Sequence, residues 1–153
     1  MYSQNPRQDL SPHLIIGGRL GYDLVQISRI EESIKHFGDS FKQRFFTTGE
    51  LNYAHLGEGL CAQRLAARFA AKEAVIKALR LSDAGVGWRE IEVRKLQDGD
   101  CEIALHGRVA QLASAMGVAH VQVSMSHDGD YAGAMVSVQF APDDTQPEFD
   151  SLS

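Results

Sequence analysis

Charged side chains recur along the part of this sequence that has the strongest helical propensity. Residues 60–81 are rich in alanine and contain no Gly or Pro, which predicts one long helix. Bulky side chains fall on one side of this helix and alanines on the other, so we expect both sides to be packed. Lys72 falls within the bulky stripe, and Arg68, Glu73 and Lys77 lie at its margins. Such charges must be paired, bound to a metal or extended towards solvent, because an isolated buried charge is costly.

The residues alone leave the roles of four candidate site residues open, two on this helix and two at predicted strand ends. Glu73 and Lys77 are four positions apart and could form an ordinary ion pair on the helix. Asp23 stands near the end of a predicted strand, where a lone Asp is usually a turn or cap residue and the alternative is a metal ligand. His127 follows Ser126 at another strand end, where a lone His usually packs or belongs to a turn.

The elements that must position these residues predict an α+β domain with a mainly antiparallel sheet. An extended segment at residues 14–27 is followed by two capping boxes, Ser28 to Glu31 and Thr47 to Glu50, which each predict the start of a helix. Alternating apolar residues on both sides of two turns predict two hairpins, with a short helix ending near Gly117 between them. The order is strand, three helices, hairpin, helix and hairpin, which favours an α+β arrangement over a doubly wound sheet.

The length of 153 residues suits one domain. We expect a flexible N-terminal extension at residues 1–13, the folded domain at 14–140 and an acidic flexible tail at 141–153. The net charge of -5 argues weakly against a nucleic-acid partner. Residues 29–95 nevertheless hold twelve Lys or Arg against nine Asp or Glu, which suits an anionic ligand or an acidic partner, although an ordinary solvated surface explains it equally well.

The remaining composition favours a cytoplasmic protein. No apolar run approaches the ~20 residues that a membrane-spanning helix needs. The first residues lack the basic, apolar and small-residue segments of a secretory signal. Cys61 and Cys101 are too few and too far apart for a disulfide framework or a zinc site, which suits a reducing compartment.

Five segments in register resemble a known family. They lie in order and at compatible spacing within residues 14–140: Gly21-Tyr22-Asp23, Phe69–Lys77, Trp88–Val93, Leu105-His106-Gly107 and Val123–Asp128. This pattern resembles the phosphopantetheinyl transferases of the small holo-acyl-carrier-protein synthase type. Tyr22 departs from the family's small or branched residue, and Asn52 stands where some relatives carry an acidic residue.

The resemblance implies an enzyme that transfers the 4′-phosphopantetheine group of coenzyme A to a serine of an apo acyl carrier protein. It assigns Mg²⁺ to Asp23 and Glu73, and the hard oxygen ligands that this ion prefers agree with that assignment. Catalytic roles fall to Glu73, to Lys77, which is assigned to phosphate binding and proton transfer, and to His127, which is assigned to phosphate binding or proton transfer.

Coenzyme A binding is assigned to Lys77 and His127 and, with structural pairing as the alternative, to Arg29, Arg68 and Lys72. The resemblance also implies a homotrimer with active sites between neighbouring subunits. Two other hypotheses stand beside the transferase. One is a non-catalytic module of the same fold that binds coenzyme A or a carrier protein, and the other is an α+β interaction domain with an accidental likeness.

Overall fold

The computed structural model describes residues 17–142 of the chain. The predicted extension at 1–13 and all of the predicted tail except residues 141 and 142 lie outside the described residues. The elements follow in this order: β1 (Gly18–Gln26), α1 (Ile27–Phe37), α2 (Asp39–Phe45), α3 (Thr48–His55), α4 (Cys61–Leu79), a 3-10 turn (Trp88–Glu90), β2 (Ile91–Lys95), β3 (Cys101–Leu105), α5 (Gly107–Ala115), β4 (Val118–Asp128) and β5 (Tyr131–Phe140).

The strands form two antiparallel sheets. One has the order β1-β5-β4, with Asp23 opposite Ala134 and Ala134 opposite Met125. The other is the β2–β3 hairpin. Both hairpins form across the predicted turns, so the expected α+β class with antiparallel pairing is confirmed.

Helix α4 is packed on both sides, as its sequence pattern predicts. It lies mainly against β1 and β5 of the three-stranded sheet. Five of its seven alanines are buried, and some share a core cluster with small residues of β5, for example Ala66 with Ala132 and Ala70 with Ala134. Because the facing side chains are small, the helix can approach the sheet closely.

The first predicted helix is divided in two. Gly38 has φ 55°, a left-handed conformation that suits glycine, and it separates α1 from α2. The predicted capping box at Ser28 and Glu31 is wrong, because α1 begins at Ile27 and its N-terminal amides find a different partner. The predicted box at Thr47 and Glu50 is present at the start of α3.

No helix within residues 17–142 has both the length and the apolar character that crossing a membrane requires.

Candidate active site

Gly21 brings β1 and α4 close enough to place two carboxylates together. A Cβ atom at Gly21 would overlap the backbone carbonyl of Ala74. Asp23 lies two positions further along β1 and therefore on the same face, and Glu73 precedes Ala74 on α4. Asp23 and Glu73 both line one cavity of about 610 Å³, which we call the carboxylate cavity.

The two carboxylates influence each other. Glu73 is partly buried, and burial together with the charge of Asp23 raises the pKa of the Glu73 carboxyl, while Lys77 partly offsets the rise. The Lys77 Nζ atom lies 3.0 Å from Asp23 Oδ1 and also donates to the backbone oxygen of Tyr22 at 3.2 Å. Lys77 therefore pairs with Asp23, and the expected alternative of a Glu73–Lys77 pair on the helix is not formed.

The donor set of the carboxylate cavity fits a magnesium ion that is completed by its substrate. Within residues 17–142, no three His, Cys, Asp or Glu side chains converge as a self-sufficient metal site. Mg²⁺ is commonly held by one or two carboxylates, with water and substrate phosphates as the remaining ligands. Asp23 and Glu73 supply such a pair, and a bound cation would offset both the burial and the charge of Asp23 that together raise the pKa of Glu73.

Glu73 lies between two cavities. On one side, the carboxylate cavity is walled by α1, which contributes the exposed Arg29, and by aromatic side chains that include Phe45 and Phe69. On the other side, a cavity of about 290 Å³ lies between Glu73, Ile76 and residues of the segment 81–88 that include Trp88. We call it the loop cavity. An extended ligand that occupies both cavities would pass the Glu73 carboxylate.

Lys72 lies in the core and forms a structural pair, which is the alternative to coenzyme A binding that the sequence left open. Its side chain is 0% exposed, and its Nζ atom donates to Glu50 Oε1 at 2.7 Å and to the backbone oxygens of Ile91 at 2.6 Å and Trp88 at 3.1 Å. All three donors of the ammonium group are thus used. Burial lowers the pKa of Lys72, and Glu50 opposes the shift. Lys72 is a structural residue that joins α4 to α3 and β2.

Arg68 lies outside the carboxylate cavity, in a group of three cations around Tyr53. The guanidinium carbons of Arg64 and Arg68 stand 4.4 Å and 4.3 Å from the centre of the Tyr53 ring, and Lys95 Nζ donates to the Tyr53 hydroxyl at 3.1 Å. The pKa of the Tyr53 hydroxyl is lowered. Burial alone would raise this pKa, but the Lys95 hydrogen bond and the three positive charges outweigh burial. Arg68 is 3% exposed, and its buried Nε has no hydrogen-bond partner among the described residues.

His127 is exposed near the end of β4 and does not line the carboxylate cavity. It lines another cavity, of about 360 Å³, together with Ser126 and Met135. One chain therefore brings together Asp23, Glu73, Lys77 and Arg29 and leaves Arg68, Lys72 and His127 apart.

Sequence reasoning missed Glu50 as the partner of Lys72. The sequence predicts Glu50 only as the second residue of a capping box, yet its side chain is fully buried and also accepts from the Val93 amide at 3.0 Å. The position of Lys72 within an apolar stripe was the available signal, because a buried ammonium group needs an acidic partner.

Comparison with known proteins agrees with this geometry. Residues 19–136 match the family described as the 4′-phosphopantetheinyl transferase superfamily. A holo-[acyl-carrier-protein] synthase of Gloeobacter violaceus is 48% identical over 120 residues, which cover 78% of this chain and 91% of that protein. A holo-[acyl-carrier-protein] synthase of Moorella thermoacetica is 42% identical over 119 residues, which cover 78% of this chain and 91% of that protein.

Solved structures show the same likeness. An ACPS–CoA complex from Chronobacterium ammoniagenes superposes with a TM-score of 0.74 at 32% identity, covering 82% of this chain and 99% of that one. The holo-[acyl-carrier-protein] synthase of Helicobacter pylori in complex with coenzyme A gives a TM-score of 0.69 at 28% identity, covering 78% of this chain and 99% of that one. The resemblance inferred from the five sequence segments is confirmed, and the chain belongs to the 4′-phosphopantetheinyl transferase superfamily.

Proposed function

We propose that this protein is a holo-[acyl-carrier-protein] synthase, which transfers 4′-phosphopantetheine from coenzyme A to a serine of an apo acyl carrier protein. The products are the holo carrier protein and adenosine 3′,5′-bisphosphate. The observation that carries the proposal is that Asp23 and Glu73 line one cavity, with Lys77 paired to Asp23, in a chain whose relatives bear this name.

The chemistry is a phosphoryl-type transfer in which positioning and charge stabilisation dominate. The serine oxygen forms a bond to the phosphorus next to pantetheine and gives up its proton to a base. The bond from that phosphorus to the bridging oxygen breaks, and this oxygen leaves as part of adenosine 3′,5′-bisphosphate. Mg²⁺ held by Asp23 and Glu73 would supply neutralisation of the phosphate charge. The Lys77 ammonium group, about half exposed, is free to exchange Asp23 for a phosphate oxygen and to take part in proton transfer.

Arg29 lies at the rim of the same cavity and contributes a second positive charge to it. We assign Arg29 to an anionic group of either substrate. The carrier proteins of this reaction are acidic, and the excess of basic residues between 29 and 95 complements such a partner. The two cysteines, Cys61 and Cys101, are free, which agrees with a cytoplasmic location.

We further propose a homotrimer whose neighbouring subunits complete each site. Five large apolar side chains are exposed on one face of the three-stranded sheet, which we call the outer sheet face: Leu20, Tyr22, Leu24, Tyr131 and Met135. An exposed apolar surface of this kind favours association. Contact between chains would let the exposed His127, which stands apart from Asp23 within one chain, reach the coenzyme A bound by a neighbour.

Mass spectrometry of an apo acyl carrier protein tests the proposal. With coenzyme A, Mg²⁺ and this protein, the carrier should gain the mass of one phosphopantetheinyl group, and Glu73→Gln should slow the gain strongly. The same fold acting as a non-catalytic module would bind coenzyme A or the carrier and leave the carrier mass unchanged. That outcome would replace the transferase with the binding module.

A further inference from the structure

The N-terminal cap of helix α1 comes from a residue that is distant in the sequence. The residue before it, Gln26, makes no capping hydrogen bond with its side chain. Instead, the Ile27 amide donates to the backbone oxygen of Asp130 at 2.8 Å, and the Ser28 amide donates to Asp130 Oδ1 at 2.9 Å. The Ser28 hydroxyl donates to Asp130 Oδ2 at 2.6 Å. Asp130 therefore satisfies the amides that a helix start leaves unpaired.

Asp130 belongs to the tip of the β4–β5 hairpin, 102 positions after Ser28. Its carboxylate also faces the positive end of the α1 dipole, which adds an attraction to the hydrogen bonds. A weaker contact supports the same junction, because Gln26 Nε2 donates to the Tyr131 hydroxyl at 3.3 Å. The start of α1 and the hairpin tip are thus held as one unit.

The junction lies beside the carboxylate cavity. Helix α1 forms one wall of that cavity through Arg29, Ile30 and Ser33, and Tyr131 lines it from the hairpin. The loop cavity on the other side of Glu73 is lined by no α1 residue. A change in the start of α1 would consequently displace Arg29 and the wall of one cavity while leaving the other cavity as it is.

We propose that Asp130 is a positioning residue, which fixes α1 so that the carrier protein can present its serine to the Asp23 and Glu73 carboxylates. The proposal rests on the proposed transfer function for its substrate. Asp130 forms its side-chain hydrogen bonds with the start of α1, so it acts on the site through Arg29 and its neighbours on that helix.

Kinetics of the Asp130→Ala variant test the proposal. Loss of an N-terminal cap raises the equilibrium constant for unwinding the first turn of a helix about five-fold. We expect the KM for the carrier protein to rise by up to about that factor with kcat unchanged within about two-fold, whereas a larger rise in the Kd for coenzyme A would assign the α1 wall to coenzyme A and overturn the role towards the carrier. Asp130→Asn should restore most of the KM, because Asn is an equally good cap and keeps an acceptor for the Ser28 amide, while it loses the charge that faces the α1 dipole. Glu32→Ala, which removes an exposed acid from α1 without touching the cap, is the matched control.

Hydrogen–deuterium exchange of the residues 27–33 provides a readout that does not depend on transfer. Asp130→Ala should speed exchange of these amides about five-fold, and Asp130→Asn should speed it clearly less. If exchange in this segment is unchanged in Asp130→Ala, the cap has no role and the inference fails whether or not the parent transfers the group. Faster exchange with an unchanged KM for the carrier would show a structural cap only, and it would also overturn the positioning role. A parent that exchanges as expected but transfers nothing would instead refute the proposed function.

Discussion

Replacing Lys72 with Met should reveal how strongly the buried ion pair stabilises the fold. Lys72 and Glu50 are both 0% exposed and 2.7 Å apart, so Lys72→Met leaves the Glu50 carboxylate buried without its counter-ion. The backbone oxygens of Trp88 and Ile91 lose a donor at the same time. Met keeps an unbranched apolar stem of similar length, so the variant should lose stability through charge and hydrogen bonding rather than through a cavity.

The structure gives the size of the effect. Breaking a buried pair by removing one partner costs about 3–5 kcal/mol, because the remaining charge stays desolvated. For a chain of this length about 2–4 °C of Tm corresponds to each kcal/mol, which predicts a fall of roughly 6–20 °C. Lys77→Met is the matched control on the same helix, since Lys77 is 52% exposed in its pair with Asp23. Exposed pairs contribute at most about 1 kcal/mol, so this variant should lose no more than roughly 4 °C.

Urea and thermal unfolding followed by circular dichroism would measure both variants at one protein concentration, because association makes Tm depend on concentration. Lys72→Met should keep its affinity for coenzyme A in conditions where it is folded. The double variant Glu50→Gln with Lys72→Met should recover part of the lost stability, since it removes the unpaired charge. Equal losses for Lys72→Met and Lys77→Met, or loss of coenzyme A affinity by folded Lys72→Met, would refute the assignment of Lys72 as a structural residue.

Four further predictions test the site and its assembly. Gly21→Ala should lower the free energy of unfolding by at least about 2 kcal/mol, since its Cβ would overlap the α4 backbone, and a chemical denaturation curve that matches the parent would exclude the close contact. Asp23→Asn and Glu73→Gln should each remove most transfer activity, and the double variant should lose far less than the product of the two losses; multiplicative losses would show independent roles. Because the pKa of Glu73 is raised on folding, its contribution to stability is present at low pH and is lost as pH rises through the folded pKa. Without metal, Glu73→Gln should therefore be more stable than the parent at pH 7 by less than about 1 kcal/mol, with the gain vanishing below about pH 4, as pH-dependent unfolding would measure. If the proposed trimer forms, Met135→Lys should dissociate it in sedimentation experiments while Leu96→Lys, on the separate hairpin, should not, and equal behaviour of the two would exclude the outer sheet face as the interface.

The sequence determined much of the secondary structure by itself. Alanine content and helical spacing predicted α4, and alternating residues around the two turns predicted both hairpins. The Thr47 and Glu50 box predicted the start of α3. These features depend on neighbouring residues and on backbone hydrogen bonds within one element, so a local pattern is enough to specify them. The five motif segments likewise identified the family.

The tertiary structure decided which charged groups meet. Lys77 could pair locally with Glu73 but pairs with Asp23, 54 positions away, and Lys72 takes Glu50 as its partner. The start of α1 takes its cap from Asp130 rather than from the Ser28 and Glu31 pattern that the sequence favoured. For Lys77 and for the start of α1, folding brings a distant group into hydrogen-bonding geometry in place of the local one. For Lys72, complete burial makes an acidic partner necessary, and Glu50 supplies it. The spacing of residues along the chain cannot predict these partners, because the close approach of β1 to α4 at Gly21 and the position of the hairpin tip are established only when the chain folds.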